Sequence, residues 1–124
     1  MKIINDNGEL KLQISEDKIY DFHYSFRIAM IYESKMKKNL ELDKMNSVTD
    51  WFMVLYAVVT STLKYNKSDI TITEDELEDI IDDSGNDKIF VAFIKWYLRQ
   101  FGIQDDMIEK YAEKTEDKEQ VKKN

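Results

Sequence analysis

Apolar and polar residues alternate over much of the first 24 positions, and a period of two residues is typical of a β-strand. The apolar members of the two alternating sets are Leu10, Leu12 and Ile14, followed by Tyr20, Phe22 and Tyr24. Asn7-Gly8 precedes the first set, and this dipeptide is the strongest short signal for a hairpin turn. We therefore predict an N-terminal β-hairpin or three-stranded meander over residues 1–24.

After this region the apolar residues recur every three or four positions, which is the spacing of one face of an α-helix. Ser25 is placed to cap a first helix that ends near Lys38. Ser47 or Thr49 begins a second helix that continues to about Tyr65. Apolar residues cover most of its circumference, so we expect this helix to be the buried centre of the domain. Its weakly polar side consists of Asp50, Ala57, Ser61 and Lys64.

A third helix is predicted from a capping box. Thr73 and Glu76 have the required spacing, in which each side chain can bond the backbone N–H of the other residue. Apolar residues follow at helical spacing from Leu77, and Gly85 is well placed to end the helix. The segment is therefore an amphipathic helix.

A fourth helix is predicted from about Asp87 to Phe101, closed by a glycine at the next position. Its narrow polar arc carries Lys88, Lys95 and Arg99. The apolar arc is about twice as wide as the roughly 100° that a surface helix needs. Either this helix is central to the core, or part of its surface contacts a partner.

Together these elements predict one α+β domain, mainly α, over residues 1–112. Its parts are the hairpin or meander over 1–24 and four to five helices over 25–112, the last of them a short helix over 105–112. The polar residues 113–124 are expected to form a disordered tail. A chain of 124 residues with 43% hydrophobic residues is long enough for one core of this kind.

Charge is distributed unevenly along the chain. Nine acidic residues and no basic one lie between Asp69 and Asp87. Residues 1–68 hold ten Lys/Arg against nine Asp/Glu, and residues 88–124 hold eight against seven, so the flanks sum to +2 and the acidic segment accounts for the net charge of -7. A solvated helix face is one interpretation of such a run. The other is a surface that steers a basic partner. Acidic residues without a nearby Lys or Arg form no stabilising i, i+4 ion pairs within the helix, so they bring no local gain in stability.

Several classes of function are disfavoured by composition. A pI near 4.7 argues against nucleic acid and membrane surfaces as partners, because both are bound through Lys and Arg. The longest apolar run, Trp51 to Val59, has nine residues, whereas a membrane span needs about 20. The absence of cysteine excludes disulfides and suits a cytosolic protein.

Catalytic and metal-binding patterns are weak. His23 is the only histidine, and the chain has neither a glycine-flanked serine nucleophile nor a glycine-rich phosphate loop. The segment from Asp82 to Asp87 superficially resembles a calcium loop, but Asp87 occupies the position that needs glycine and Phe93 the one that needs glutamate. We therefore predict a non-enzymatic protein with no cofactor and no metal.

The segment from Phe26 to Glu33 resembles the opening helix of tail assembly chaperones from long-tailed, siphovirus-like bacteriophages. Those helices begin with an aromatic or apolar residue and end their amphipathic turn in glutamate, and Lys38 and Leu40 continue the match. The family often has glycine shortly after the glutamate, where this chain has Lys37. Similar blocks follow in the same order, namely an apolar helix over 52–57, a threonine-capped acidic helix over 72–82 and an amphipathic helix over 88–101.

The resemblance covers about residues 20–103 and is one of pattern and order. It implies a helical chaperone that binds the tape-measure protein and the tail-tube protein in the host cytoplasm and is absent from the mature virion. It also implies a longer frameshifted version of the chain as a further partner, and it allows a homo-oligomer.

For such a protein we expect binding energy from the fourth helix and steering from the third. The expected anchors are Phe90, Phe93, Trp96, Tyr97 and Phe101, and the expected charged rim is Glu78, Asp79, Asp82 and Asp83. An acidic protein-binding inhibitor or DNA mimic is the alternative. It would need carboxylates spaced like phosphates across one face.

Overall fold

A three-stranded sheet precedes four α-helices in the computed structural model, which describes residues 1–85, 87–103 and 106–107, the side chain of Asp87 excepted. The elements are β1 (Lys2–Asp6), β2 (Glu9–Ser15), β3 (Lys18–Asp21), α1 (Arg27–Met36), a 3-10 turn (Leu42–Lys44), α2 (Val48–Tyr65), α3 (Glu74–Asp83) and α4 (Asp87–Arg99). This confirms the predicted α+β class, mainly α. Apart from Asp106 and Met107, the short helix predicted over 105–112 and the tail over 113–124 lie outside the described residues.

The strands form an antiparallel meander in the order β1-β2-β3. Asn7 and Gly8 have φ values of 53° and 91° and connect Asp6 to its partner Glu9, so the predicted hairpin turn is confirmed. Both residues need positive φ in a turn of this type, and Asn-Gly provides it at little strain. The pairing of β1 with β2 is therefore specified by the residues of the turn between them.

β3 is shorter than the alternation suggested, because it ends at Asp21. Phe22 is buried and contacts Trp96 of α4, with 5.6 Å between the ring centroids. Tyr24 lies against Phe101, also at 5.6 Å. These aromatic residues therefore join the segment after β3 to α4 and to the turn that follows α4.

α2 is the buried central helix, and Ser47 caps it by accepting a hydrogen bond from the backbone N–H of Asp50 at 3.2 Å. The weakly polar side of α2 is largely buried as well, with only Lys64 exposed. Asp50, Ala57 and Ser61 are buried, at 4%, 0% and 1% exposure. Asp50 bonds Tyr32 of α1, and the Ser61 hydroxyl lies 2.7 Å from the Ser25 hydroxyl, so this side packs against α1 and its entry.

α1 begins at Arg27 without a side-chain cap, since its N-cap residue is Phe26. The predicted cap at Ser25 is therefore wrong, because that hydroxyl is engaged with Ser61. The helix ends at Lys37, whose φ of 58° is left-handed and whose N–H donates to the carbonyl of Glu33 at 3.0 Å. Glycine adopts this conformation with less strain than lysine.

α3 begins at the predicted Thr73–Glu76 pair, and the Glu76 carboxylate contacts the Thr73 hydroxyl where a reciprocal capping box would use the Thr73 backbone N–H. The Thr73 hydroxyl accepts a hydrogen bond from the backbone N–H of Glu76 at 3.1 Å and donates one to the Glu76 carboxylate at 3.1 Å. α3 buries Leu77, Ile80 and Ile81, and Gly85 follows its C-cap residue with a φ of 103°. The start, buried stripe and end of this helix were all predicted.

Thr73→Ala should lower the free energy of unfolding by about 1 kcal/mol, because the N-terminal N–H groups of α3 lose their cap. Urea denaturation followed by circular dichroism measures this change. Thr71→Ala is the control, since Thr71 is exposed and lies just before the helix. Equal stability of both variants would show that the cap contributes nothing.

α4 lies in the core. Ile89, Phe93, Ile94, Tyr97 and Leu98 are all buried. Phe93 contacts Trp51 of α2, Phe22 and Trp96, and its ring centroid lies between 6.0 and 6.4 Å from each of theirs. The wide apolar arc of α4 is therefore explained by packing on several sides, which is the first of the two sequence-based alternatives.

Candidate functional site

An open groove of about 550 Å³ lies between the beginning of α2, α3 and the beginning of α4. We call it the acid-rimmed groove. Its lining residues are Val48, Thr49, Phe52 and Met53 of α2, Glu74, Glu78, Ile81 and Asp82 of α3, and Phe90 of α4. Three helices thus contribute to one concave surface.

The floor of the acid-rimmed groove is apolar and partly exposed. Val48 and Phe52 are four residues apart on α2 and therefore face the same way. Val48 is 45% exposed, and Phe52 and Phe90 are half-buried. Met53 and Ile81 connect this floor to the hydrophobic core. A partner side chain that enters the groove would therefore find apolar surface still in contact with water.

The rim is formed by Glu74, Glu78 and Asp82, which are spaced i, i+4, i+8 on one flank of α3. Glu74 is paired with Lys35 of α1 at 3.4 Å, and both side chains are more than 40% exposed, so this pair contributes little to stability. Within residues 1–85, 87–103 and 106–107, neither Glu78 nor Asp82 belongs to a salt bridge. These two carboxylates remain open to a cation from outside.

Lys35 of α1 and Tyr56 of α2 contact each other, and both contact the region around the start of α3. The Lys35 ammonium lies 5.3 Å from the centre of the Tyr56 ring, and the Tyr56 hydroxyl donates to the carbonyl of Ile72 at 3.2 Å. Lys35 also pairs with Glu74. The groove is therefore held by α1, by α2 and by the segment that precedes α3.

The four predicted rim acids are divided between two sides of α3. Glu78 and Asp82 line the groove, whereas Asp79 and Asp83 are exposed on the helix but do not line it. Successive residues of a helix differ by about 100° in direction, so neighbours of this kind face different ways. The structure thus brings two of the four together at the candidate site.

The predicted anchors of α4 do not form one surface. Phe90 lines the groove. Phe93 and Tyr97 are 0% and 1% exposed, so the prediction that they contact a partner has to be corrected. Trp96 is half-buried, and Phe101 is 45% exposed beside Tyr24. Phe90 lies near the start of α4, whereas Phe101 lies two residues beyond its end.

The residues that α2 contributes to the floor were not predicted from the sequence. Val48 and Phe52 were assigned only to a buried helix, because apolar residues occur all round α2. The available signal was their i, i+4 spacing directly after the Ser47 cap. Sequence alone does not show which of several apolar arcs the neighbouring helices leave open.

Asp50 links the first turn of α2 to α1 and to the segment that follows α1. It is 4% exposed and lies 2.7 Å from the Lys38 ammonium, and the Tyr32 hydroxyl donates to it at 3.2 Å. Burial alone would raise the pKa of the Asp50 carboxyl, but hydrogen bonds from Lys38, Ser47 and Tyr32 and the charge of Lys38 outweigh it and hold the pKa below its usual value. Asp50 therefore acts as a buried structural carboxylate.

His23 lies away from the groove, stacked on Tyr65 with 3.6 Å between the ring centroids. Across the part of the chain that the structure describes, no cluster of three or more metal-ligating side chains occurs, and no helix has the length and hydropathy of a membrane span. Asn86 and the side chain of Asp87, which belong to the segment that resembles a calcium loop, lie outside the described residues.

Comparison of the chain with known protein families, with curated proteins and with solved structures finds no match. The acid-rimmed groove and the sequence resemblance are therefore the observations that bear on function.

Proposed function

We propose that the acid-rimmed groove binds a basic amphipathic helix of a partner protein, and that the chain is a non-enzymatic tail assembly chaperone of a long-tailed bacteriophage. The observation that carries this proposal is the combination of a partly exposed apolar floor with two rim carboxylates, Glu78 and Asp82, that lie outside any described salt bridge. A helix with apolar residues on one face and lysines beside them matches both features. Desolvated apolar contacts provide the affinity, and the charges orient the helix.

The dimensions of the groove suit a short helical segment. α3 has ten residues, which corresponds to a length of about 15 Å, or nearly three helical turns. A partner helix lying along α3 would place anchors at i, i+4 and i+7 over Val48, Phe52 and Phe90. Lysines on its flank would then face Glu78 and Asp82.

The resemblance to tail assembly chaperones adds the biological setting. Lys37 has a left-handed φ of 58°, and it stands where that family often has glycine, the residue that favours this conformation. In the proposal the partners are the tape-measure and tail-tube proteins, together with a longer frameshifted version of the chain. A long helical tape-measure protein needs its apolar stripes covered before assembly, which this groove is suited to do.

Reversing the charge of the groove rim should weaken helix binding. For Glu78→Lys/Asp82→Lys we expect the Kd for a fluorescein-labelled synthetic helix of leucine and lysine to rise by about tenfold or more, since two attractive charge contacts become repulsive. Fluorescence anisotropy at constant ionic strength measures the Kd. The matched control is Asp79→Lys/Asp83→Lys, which makes the same charge change on the same helix outside the groove.

The control separates local contacts from overall charge. If both double variants weaken binding equally, net charge alone attracts the peptide, and the groove assignment is wrong. If neither does, the groove does not bind this helix. Circular dichroism of each variant verifies that α3 is still folded.

The biological setting is tested separately by pull-down of overlapping tape-measure fragments. We expect the wild type and Asp79→Lys/Asp83→Lys to retain fragments that contain basic amphipathic helices, and Glu78→Lys/Asp82→Lys to lose them. Binding of the synthetic helix without retention of any tape-measure fragment would contradict the phage assignment while leaving the groove as a helix-binding site.

A further inference from the structure

A second exposed surface lies at the opposite end of α2. It surrounds a depression of about 290 Å³, and we define the cationic aromatic patch as the residues His23, Phe26, Arg27, Lys64 and Tyr65 that line it. Val48 in the acid-rimmed groove and Lys64 in the patch are about 24 Å apart along α2, given a rise of about 1.5 Å per residue. The two surfaces are therefore distinct.

Phe26 is the least explained residue of the patch. It is 81% exposed, so it adds almost nothing to the core. It also occupies the N-cap position of α1 and makes no side-chain cap hydrogen bond. Neither packing nor local structure requires a phenylalanine there. Exposed aromatic residues of this kind mark surfaces that contact another molecule.

Tyr65 adds a second exposed ring, and its position is fixed. It is 62% exposed, and its ring stacks on His23 with an angle of 10° between the ring planes. The backbone N–H of His23 is itself held by the Thr62 hydroxyl at 3.0 Å. An aromatic surface ordered in advance loses little conformational entropy when a partner binds.

The charges of the patch have the opposite sign from those of the groove. Arg27 and Lys64 are exposed, the residues that line the depression include no carboxylate, and neither cation is part of a salt bridge among the described residues. The distance to the groove is more than twice the Debye length of about 8–10 Å at physiological salt. The acidic groove therefore does not cancel the local attraction for an anion.

We infer that the cationic aromatic patch binds an acidic segment of a second protein partner, with an apolar side chain of that segment against Phe26 and Tyr65 and its carboxylates against Arg27 and Lys64. A partner with a basic amphipathic helix is repelled by these cations, so the patch and the groove select different segments. The inference does not depend on what the groove binds.

The acidic helix of a second copy fits this description less well. α3 is the strongly acidic helix among the described residues, and its apolar side chains Leu77, Ile80 and Ile81 are buried in its own core. It would bring carboxylates to the patch but no exposed apolar anchor. A separate acidic segment with an exposed apolar residue provides both.

The test uses a fluorescein-labelled synthetic peptide of leucine and glutamate, with fluorescence anisotropy as the measurement. For Arg27→Glu/Lys64→Glu we expect the Kd to rise by about tenfold or more, and for Phe26→Ser by about fivefold or more, as truncation of a central anchor gives. Binding of the leucine and lysine helix should change by less than about twofold, as expected for distant, independent sites. Loss of acidic-peptide binding with unchanged binding of the basic helix would separate the patch from the groove. The assignment of one surface can therefore be shown to be wrong while the other stands.

Matched controls are Lys2→Glu/Lys18→Glu, two exposed lysines outside the patch, and Ile19→Ser, an exposed apolar residue of β3. The inference would be overturned if the control variants lost as much affinity for the leucine and glutamate peptide as the patch variants, or if the patch variants lost none. Phe26→Ser changes an exposed side chain, so it provides a folded variant even if the charge reversal does not.

Two other occupants of the patch are tested directly. Sedimentation velocity over a range of concentrations detects self-association, and association that Phe26→Ser abolishes would assign the patch to a second copy. Co-sedimentation with vesicles of phosphatidylcholine and phosphatidylglycerol detects membrane binding, and binding to vesicles without binding to the acidic peptide would assign it to a membrane surface. Either result would overturn the acidic-partner inference.

Discussion

Replacing Phe93 by alanine is expected to lower the free energy of unfolding by about 3–5 kcal/mol, which is the usual loss when a buried phenylalanine is truncated. Phe93 is 0% exposed and contacts rings from α2, α4 and the segment after β3, so several elements line the cavity that the variant leaves. Urea denaturation at neutral pH, followed by circular dichroism and tryptophan fluorescence, measures the change.

Phe90→Ala is the matched control, since it removes the same ring from the same helix three residues away. Phe90 is half-buried and lines the groove, so we expect less than about half of the stability loss and a clear weakening of binding to the leucine and lysine helix. The pair separates the core side of α4 from its groove side. Equal stability losses would show that Phe90 belongs to the core and that the groove is not open to a partner.

Asp50→Asn is expected to lower the free energy of unfolding at pH 7 by about 2–3 kcal/mol. The substitution removes the buried carboxylate charge that pairs with the Lys38 ammonium and accepts a hydrogen bond from the Tyr32 hydroxyl. The effect should depend on pH. The pKa of Asp50 is lowered in the folded protein, so its stabilisation is complete above the unfolded-state pKa of about 3.9 and is lost as the pH falls through the folded-state value.

Denaturation of the wild type and Asp50→Asn at pH 7 and at pH values below 4 tests this dependence. We expect the difference in unfolding free energy between the two proteins to shrink as the pH falls. Asp21→Asn, at an exposed position of β3, is the control and should remain within about 0.5 kcal/mol of the wild type. A difference that does not vary with pH would mean that the charge of Asp50 contributes nothing.

The parts of the fold that were predicted correctly depend on chemistry between near neighbours. The Asn7-Gly8 turn, the Ser47 cap and the Thr73–Glu76 pair each involve residues no more than three positions apart. Such interactions are fully specified by the local sequence, so the structure had little freedom to differ.

The parts that were not predicted depend on partners far along the chain. The Ser25 hydroxyl could cap a helix, but it contacts Ser61, which is 36 positions away. Asp50 was placed on the weakly polar side of α2, and its contacts with Lys38 and Tyr32 are what allow that side to be buried against α1. A polar side chain on a helix needs a hydrogen-bond partner, but the local sequence does not show whether that partner is another residue or water.

The sequence predicted the kinds of residue that form the candidate site better than it predicted which of those residues lie together. The acidic helix and an aromatic residue of α4 do meet in the groove, through Glu78, Asp82 and Phe90. To decide that Glu78 and not Asp79 lines the groove, one has to know which way the buried side of α3 faces relative to the neighbouring helices. The α2 contribution and the cationic aromatic patch required knowledge of which apolar residues remain uncovered, which is a property of the assembled helices.

The outer strands of the sheet restrict how other chains can join this protein. β3 has only four residues and carries charged side chains at both ends, and the backbone N–H of Ile3 in β1 donates to the Ser84 hydroxyl at 3.2 Å. Short, charged or occupied edges discourage strand addition, which is a common route to aggregation. The sheet of this protein therefore gives little opportunity for polymerisation by strand addition, and the surfaces proposed for recognition are formed by side chains and lie outside the sheet edges.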